Sequence, residues 1–229
     1  MDELERSKRA AGEAAAALVA DDQLVGIGSG STARFATEAI GRRLAEGRLV
    51  GVRGVATSLA SERLARDVGI PLVELGPEGV DIAIDGADEI DPALCAIKGL
   101  GAALTREKIV AAAARRFVLV ADATKLVTRL GERAPVPVEV VAFGWRRTAA
   151  TLARLGCTPT LRGGEAEPLR TDNGQWVVDC AVAPGFDARA FAAAADALPG
   201  VMEHGLFLDL AHDAFVAGED GVTHLRRPS

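Results

Sequence analysis

The sequence predicts an α/β protein with a Rossmann-like, mostly parallel sheet domain and a second, smaller α+β (ferredoxin-like) domain. In the first half of the chain, short apolar strands alternate with helical segments, which is the pattern of βαβ units. Near residue 131 the order changes to β-α-β-β-α, which is typical of a split-βαβ domain. From about Gly205 onward the pattern again predicts strands, which we expect to rejoin the first sheet. The predicted domains are therefore residues 1–131 plus 205–229, and residues 132–204.

The elements of the first domain follow from the spacing of its apolar residues. Residues 3–20 are Ala-rich and amphipathic, which predicts a helix, and the apolar run at 24–28 predicts a buried strand. The same alternation continues to the end of the domain. It predicts helices at 33–46, 61–68 and 105–116, and strands at 52–58, 71–75, 81–84 and 117–121.

The second domain begins after a connection marked by Pro135 and Pro137. Its apolar patterns predict strands at 138–141, 159–162 and 176–182, and helices at 146–155 and 187–197. The order of these elements predicts the α+β class.

Composition excludes several classes of protein. The chain has 229 residues, of which 49% are hydrophobic, and no apolar run reaches the roughly 18 residues of a membrane span. The charged N-terminus lacks an apolar signal core, and the three cysteines have no metal-type spacing, so we expect a reduced protein in the cytoplasm. A net charge of −6 without a basic stripe disfavours a nucleic-acid partner. The scarce, late histidines and the lack of a nucleophile elbow disfavour a Ser–His–Asp hydrolase.

Lysine is rare in this chain. Only four of the 26 basic residues are lysine: Lys8, Lys98, Lys108 and Lys125. In a chain that otherwise uses arginine, a lysine can mark a position that needs a compact ammonium group. For any one of the four, an accidental occurrence is about as good an explanation.

Polar residues follow four of the predicted strands. These groups are Ser29–Thr32, Thr57–Ser58, Asp85–Asp88 and Asp122–Lys125. Ligands of open parallel sheets bind beyond the carboxyl ends of the strands. We therefore expect the four groups to converge.

The segment Gly26–Thr32 has the layout of an anion-binding loop between a strand and a helix. Its glycines allow close backbone approach, and the N–H groups, the helix dipole and the hydroxyls attract an anion. Ser31 replaces the third glycine of the dinucleotide fingerprint, and the chain contains no Gly-Lys-Ser/Thr of a P-loop. The alternative is a tight turn in which Ser31 or Thr32 is only a helix N-cap. We favour anion binding.

The acidic segment Asp85–Asp91 contains two residues to which we assign a function. Asp85 and Asp88 flank the small residues Gly86 and Ala87, which would let a ligand approach closely. Carboxylates at a strand end can bind a metal, hydrogen-bond sugar hydroxyls or move protons. The spacing is not that of a calcium loop. Glu89 and Asp91 fit a solvated acidic turn.

In the segment Lys98–Lys108 a lysine, a Gly-containing turn and a glutamate in the first turn of a helix occur together. The helix dipole favours the ionised form of Glu107, which can then accept a proton. The alternative for Glu107 is an ordinary first-turn carboxylate.

Farther along the chain, we expect Asp122 to cap a short helix that brings Lys125 to the ends of the strands. The alternative for Lys125 is an ordinary solvated residue.

Taken together, these blocks resemble the signature segments of the ribose-5-phosphate isomerase A family, in that family's order and near its spacing. The blocks are Gly28–Thr32, Asp85–Ile90, Lys98–Lys108 and Ala121–Lys125, followed by Pro135–Val140, Thr171–Gly174 and Gly205–Phe207. The resemblance covers essentially the whole chain. Each block alone is modest support, and the set is specific.

The resemblance implies an aldose–ketose isomerase of the non-oxidative pentose phosphate pathway. Such an enzyme interconverts D-ribose 5-phosphate and D-ribulose 5-phosphate through an enediolate, with its catalytic residues on the Rossmann-like domain. The resemblance also implies that no metal or other cofactor is used, that the partner is a small sugar phosphate, and that the protein is a cytoplasmic homodimer or tetramer.

The resemblance further implies roles for individual residues. Glu107 would move a proton between C2 and C1, Lys98 would stabilise the enediolate oxygens, and Asp85 would assist ring opening. Asp85 and Asp88 would hold the sugar hydroxyls, and residues 29–32 with Lys125 and Lys8 would hold the phosphate. The full set expected to bind substrate is Ser29, Gly30, Ser31, Thr32, Asp85, Gly86, Ala87, Asp88, Lys98, Gly99, Leu100, Gly101, Lys125 and Lys8.

Two positions depart from the family pattern. Ser29 stands where many members have threonine, which we expect to be a mild change. Leu100 stands where glycine is common, and we expect it to restrict the loop that carries Lys98. The alternative functions are a sugar-phosphate sensor without catalysis and a related deaminase or lactonase. Intact Glu107 and Lys98 disfavour the sensor, and the absence of the expected histidine and acidic motif disfavours the deaminase.

Overall fold

The structure is a computed structural model that describes residues 3–227. Within these residues the helices are α1 (Glu3–Ala16), α2 (Gly30–Ala45), α3 (Leu59–Asp67), α4 (Leu104–Ala112), α5 (Trp145–Ala153) and α6 (Ala188–Asp196). The strands are β1 (Leu24–Ile27), β2 (Arg53–Ala56), β3 (Val80–Gly86), β4 (Glu89–Ile90), β5 (Ala96–Ile97), β6 (Ala114–Asp122), β7 (Val136–Val140), β8 (Cys157–Leu161), β9 (Trp176–Val182), β10 (Val201–His204), β11 (Leu206–Phe207), β12 (Asp213–Gly218) and β13 (Gly221–Arg226). None of the helices in this range is long and apolar enough to cross a membrane.

The chain divides into two compact units. Within the described residues, the first unit comprises residues 3–87, the segment Arg106–Leu126 and residues 209–227. The second unit comprises Asp88–Thr105 and Val127–Leu208. Each unit has its own sheet and its own buried core.

The first unit contains a mostly parallel sheet in the strand order β13-β12-β6-β3-β1-β2. All neighbouring strands are parallel except β12 and β13, which form an antiparallel hairpin at one edge. Apolar side chains of the central strands form the core with α1 and α2, and the burial of each contributes about 1.5–3 kcal/mol. They include Val25, Ile27, Ile82, Ile84, Val118 and Val120. The expectation that the chain after residue 205 returns to the first sheet is confirmed for the hairpin of β12 and β13, since β12 pairs with β6. It is wrong for β11, which pairs with β5 in the second unit.

The second unit contains a four-stranded antiparallel sheet in the order β10-β7-β9-β8. With α5 after β7 and α6 after β9, its elements follow the βαββαβ order of a ferredoxin-like fold. The predicted fold class is therefore confirmed. A small sheet in the order β11-β5-β4 completes this unit.

Two predicted elements of the first domain are wrong. The strand expected at 71–75 is reduced to one bridge between Leu72 and Gly54. The helix expected at 105–116 ends at Ala112, since residues 114–116 already pair with β3. Alanine and arginine favour helix locally, and the register with β3 overrides this preference.

The compact units also differ from the predicted domains. Residues 88–105 were expected in the first domain, but they group with the second unit because β4 and β5 pair with β11. The division into 1–131 plus 205–229 and 132–204 stays a prediction about independently folding domains.

Candidate active site

Three neighbouring strands of the first unit end in polar residues that hydrogen-bond to one another. Ser29 follows β1, Thr57 and Ser58 follow β2, and Asp85 lies near the end of β3. The Ser29 hydroxyl lies 2.9 Å from Thr57 Oγ1 and 2.7 Å from Ser58 Oγ. The backbone N–H of Ser29 donates to Asp85 Oδ1 at 2.9 Å. The expected convergence of polar groups is thus observed for these three strands.

The segment 26–32, called the anion loop below, can approach Asp85 because residue 28 is glycine. A Cβ atom at Gly28 would lie 2.3 Å from the Ile84 carbonyl oxygen and 2.5 Å from Asp85 Cα. Real Cβ atoms essentially never come within 3.0 Å of an atom to which they are not bonded, apart from atoms of neighbouring residues in the chain. The glycine therefore lets the loop backbone lie directly on the end of β3.

The N-terminus of α2 presents backbone N–H groups and a lysine. Ser29 is the N-cap residue, but its side chain makes no capping bond, because its hydroxyl is engaged with the residues after β2. The alternative prediction that Ser31 or Thr32 is the N-cap is wrong. Lys8 of α1 donates from Nζ to Ser31 Oγ at 3.1 Å. The helix dipole and this cation both favour an anion at the loop.

Asp85 is a buried carboxylate, with 2% of its surface exposed. Its Oδ1 atom accepts hydrogen bonds from the N–H groups of Ser29 and Gly86, at 2.9 and 2.7 Å. These bonds hold the carboxylate against the anion loop.

Glu107 lies in the first turn of α4 and is 5% exposed. Val110, one turn later on the same helix face, packs on β1 where Gly26 leaves room for it. Since α4 leads directly into β6 of a parallel sheet, it runs opposite to the strands and begins at their carboxyl ends. Glu107 therefore lies on the sheet-facing side of α4, at the edge of the sheet where the ligand site is expected.

Lys125 follows β6, the strand next to β3. It ends a short 3-10 helix, Ala123–Lys125, whose N-cap Asp122 accepts from the Thr124 N–H at 3.0 Å. The expectation that Asp122 caps a short helix is confirmed. The Lys125 residue is half-buried.

The second unit holds five further predicted residues, Asp88, Lys98, Gly99, Leu100 and Gly101, whereas Ala87 belongs to the first unit. Lys98 is 3% exposed, and its Nζ lies 5.4 Å from the centre of the Phe207 ring. Asp88 Oδ2 accepts from the Leu100 N–H at 3.0 Å. These contacts form around residues 98–102, called the lysine loop below.

Leu100 does not need the conformational freedom of glycine. Its φ is outside the left-handed region, whereas Gly99 has a φ of +106° and lies against the Leu104 side chain. The Leu100 residue is 44% exposed. The positive φ angles of the lysine loop are thus at Gly99 and at Ala102, where φ is 61°, and the backbone at Leu100 accepts a side chain.

Two buried carboxylates of the second unit have roles that the sequence did not reveal. Glu89, expected in a solvated turn, is 1% exposed and accepts from the N–H groups of Gly131, Arg133 and Ala134. Glu139 of β7 is fully buried and accepts from the Thr105 hydroxyl in the first turn of α4. A charged residue within an apolar strand was the available signal for Glu139.

Among residues 3–227, Asp196, Glu203 and His204 form a group whose ligand atoms lie close enough to hold a metal ion. The His204 Nδ1 atom accepts from the Leu206 N–H at 3.2 Å, so the ring proton lies on Nε2, 3.2 Å from Asp196 Oδ1. This tautomer suits a hydrogen bond to Asp196 and leaves no lone pair on Nε2 for a metal. None of the three is among the predicted site residues.

Comparisons with known proteins agree on one family. The family model for ribose 5-phosphate isomerase A (phosphoriboisomerase A) matches residues 53–221. The chain is 50% identical over 225 residues to the ribose-5-phosphate isomerase A of Deinococcus radiodurans, covering 98% of this chain and 100% of the relative. It is 49% identical to the protein of that name from a Roseiflexus species, covering 97% of this chain and 96% of the relative.

Solved structures of the same family share the fold. A D-ribose-5-phosphate isomerase in complex with phospho-erythronic acid superposes with a TM-score of 0.94 at 35% identity, covering 99% of this chain and 100% of that one. The ribose 5-phosphate isomerase of Plasmodium falciparum also gives a TM-score of 0.94, at 34% identity, covering 98% and 100%.

Proposed function

The chain belongs to the ribose-5-phosphate isomerase A family, and on that premise we propose that it interconverts D-ribose 5-phosphate and D-ribulose 5-phosphate, with Glu107 as the catalytic base. The observation that carries this assignment is the position of Glu107, a buried carboxylate on the sheet-facing side of α4. The Ser29–Asp85 cluster lies at the same carboxyl-end edge of the first unit's sheet.

The reaction moves one proton between two neighbouring carbons. Glu107 removes the proton from C2 of the open-chain aldose, and the electron pair of that bond forms the C1–C2 double bond of an enediolate. The same carboxyl group then returns the proton to C1, while the hydroxyl proton on O2 passes to O1. The products are a carbonyl at C2 and a CH₂OH group at C1, so atoms and electrons balance. A positioned carboxylate typically accelerates such a transfer about 10²- to 10⁴-fold.

Lys98 stabilises the negative charge that develops on the oxygens during proton removal. A buried ammonium is effective in this role because water does not screen it. Asp85 and Asp88 bind the sugar hydroxyls, and Asp85 also accepts a hydroxyl proton during ring opening. Because Lys98 and backbone donors carry the oxyanion, we expect activity without a metal.

The phosphate binds at the anion loop, with Lys125 and Lys8 as additional cations. The hydrogen bond from Lys8 to Ser31 and the uncapped N-terminus of α2 support this role. Binding energy from the phosphate, which does not react, positions the reacting carbons.

We also propose that the protein is a cytoplasmic homodimer or tetramer. Three buried cysteine thiols, Cys95, Cys157 and Cys180, fit a reducing compartment. Light scattering on the purified protein measures the oligomeric state, and a monomer at micromolar concentration would contradict this part of the proposal.

The test is an isomerase assay on wild type and Glu107→Gln, with and without a chelator. We expect wild-type activity to survive chelation and kcat of the variant to fall by about 10²- to 10⁴-fold, with substrate binding retained. Glu62→Gln is the matched control, since Glu62 also lies in the first turn of a helix, α3, and is partly exposed. We expect its kcat within twofold of wild type.

Each of the other outcomes would contradict a different part of the proposed function. Binding of ribose 5-phosphate without turnover by the wild type would identify a sensor. Loss of activity on chelation would identify a metal at Asp85 and Asp88. Full activity of Glu107→Gln would remove Glu107 as the base.

A further inference from the structure

Arg162 of the second unit binds the backbone of the lysine loop. It follows β8, and its Nη1 atom donates to the carbonyl oxygens of Gly99 and Leu100 at 2.9 and 3.0 Å. The side chain is 14% exposed. These contacts span more than 60 residues of sequence, so no local pattern reveals them.

Asp179 of β9 holds the guanidinium group in place. Arg162 Nε donates to Asp179 Oδ2 at 2.9 Å, and Arg162 Nη2 donates to Asp179 Oδ1, which makes a bidentate pair. A planar guanidinium has five donors in a rigid fork, so one arginine can bind a carboxylate and two carbonyls together. The backbone of Arg162 is itself fixed, since its N–H donates to Val177 O and its carbonyl accepts from Leu169 N–H.

The two carbonyl contacts set the directions of the backbone N–H groups in the lysine loop. A trans peptide group points its C=O and its N–H in opposite directions. The Gly99 carbonyl oxygen accepts from Arg162, so the Leu100 N–H of the same peptide group points the opposite way. It donates to Asp88 Oδ2, as observed. The Leu100 carbonyl oxygen also accepts from Arg162, so the Gly101 N–H of that peptide group points away from Arg162 as well. Gly101 is an exposed residue.

We propose that Arg162 is a positioning residue of the isomerase: held by Asp179, it fixes the lysine loop so that the Lys98 ammonium and the Gly101 N–H face the substrate oxygens in one arrangement. This inference rests on the proposed function of Lys98. Arg162 acts on the reaction indirectly, through the backbone of residues 99–101. A displacement of about 1 Å at a catalytic group can cost about 10²-fold in rate.

The test compares Arg162→Ala, Arg162→Lys and Asp179→Asn with wild type. We expect Arg162→Ala to lower kcat/KM about 10- to 100-fold, mainly through kcat, because the charge on the substrate oxygens develops during the reaction. Arg162→Lys keeps the charge but not the fork, and we expect at least a threefold loss. Asp179→Asn keeps the Arg162 N–H groups that donate to the two carbonyls but weakens the bidentate pair that orients them, and we again expect at least a threefold loss. Thermal unfolding and circular dichroism confirm that each variant is folded at the assay temperature.

Inhibition by phospho-erythronic acid supplies a readout that does not depend on turnover. Its carboxylate carries two oxygens on one carbon, next to a hydroxyl-bearing carbon, and resembles the enediolate in charge. We expect the inhibition constant to rise with the loss of kcat/KM in the Arg162 variants, whereas inhibition by inorganic phosphate stays within twofold.

The matched control is Arg146→Ala. Arg146 forms a bidentate pair with Glu165 in the same unit, at 3.2 and 2.6 Å, but on the exposed surface. Its removal changes the net charge by the same amount, and we expect kcat/KM within twofold of wild type.

The inference would be overturned if Arg162→Ala is folded and its kcat/KM and its inhibition by phospho-erythronic acid stay within twofold of wild type. An equal loss of kcat/KM in Arg146→Ala would overturn it as well. An inactive wild type would instead overturn the proposed function.

Discussion

Two adjacent carboxylates of one acidic segment, Asp88 and Glu89, lie in different environments. Asp88 is half-buried and accepts from the Leu100 N–H, whereas Glu89 is buried and accepts from three backbone N–H groups. Successive side chains near a strand point to opposite faces, so neighbours in sequence need not share surroundings. The sequence therefore predicted a functional acidic turn but could not show that Glu89 accepts hydrogen bonds from the connection at residues 131–134.

Lys125 gives a prediction that separates binding from chemistry. Replacing it with alanine removes a cation that we assign to the phosphate, so we expect KM to rise about tenfold with kcat little changed. Steady-state kinetics with ribose 5-phosphate measures both constants.

The control for Lys125→Ala is Arg115→Ala. Arg115 lies at the other end of the same strand, β6, with its side chain 75% exposed. Its loss changes the net charge equally and should leave KM unchanged. An unchanged KM in Lys125→Ala would remove Lys125 from the phosphate site.

Among the elements, the anion loop joins a strand to a helix, as the sequence predicted, and its role in binding an anion stays a prediction. The loop lies between β1 and α2, where the glycine and hydroxyl pattern placed it. The capping assignment was less accurate. Ser29 is the N-cap residue, and its hydroxyl hydrogen-bonds to Thr57 and Ser58 of the neighbouring connection. The spacing of residues in the sequence does not predict such a tertiary contact.

The close approach of the anion loop to β3 predicts the effect of Gly28→Ala. The new Cβ would lie 2.3 Å from the Ile84 carbonyl oxygen, so loop or strand must shift. We expect a loss of about 1–3 kcal/mol in the free energy of unfolding and a lower kcat/KM, since Ser29 N–H moves away from Asp85. Urea unfolding and kinetics measure the two effects.

Gly101→Ala is the control for the unfolding experiment. A Cβ at Gly101 meets no atom within 4 Å, and the residue has an ordinary φ. Its free energy of unfolding should stay within about 0.5 kcal/mol of wild type. Equal stabilities of Gly28→Ala and wild type would show that the close approach is not required.

For the whole molecule, alternation of apolar strands and helices predicted both the parallel sheet and the ferredoxin-like sheet. It could not predict the grouping of residues 88–105 with the second unit. That grouping depends on the pairing of β5 with β11, which joins Ile97 and Leu206 across more than a hundred residues. Such long-range pairs follow from the complete fold, whereas periodicity reports only which face of each element is buried.

A buried carboxylate links β6 to the hairpin of β12 and β13, called the returning hairpin below. Asp213 of β12 accepts from Arg116 Nε at 2.7 Å and from His224 Nε2 at 2.6 Å. Burial alone would raise the pKa of Asp213, but the hydrogen bonds from Arg116 and His224 outweigh it and hold the pKa below its usual value. Arg226 Nε of β13 lies 4.0 Å from Asp213 Oδ1.

The lowered pKa predicts how the contribution of Asp213 to stability depends on pH. A carboxyl group whose pKa is lower in the folded state stabilises the fold above its unfolded pKa, near 4, and this contribution is lost as the pH falls through the folded pKa. Asp213→Asn should therefore unfold more easily than wild type from pH 7 down to about 5, and the difference should shrink below about pH 4. Urea unfolding at a series of pH values measures it, with Asp220→Asn on the exposed turn between β12 and β13 as the control. A difference that persists undiminished at pH 3 would mean that Asp213 acts through its shape and packing, and that its charge does not hold the returning hairpin to β6.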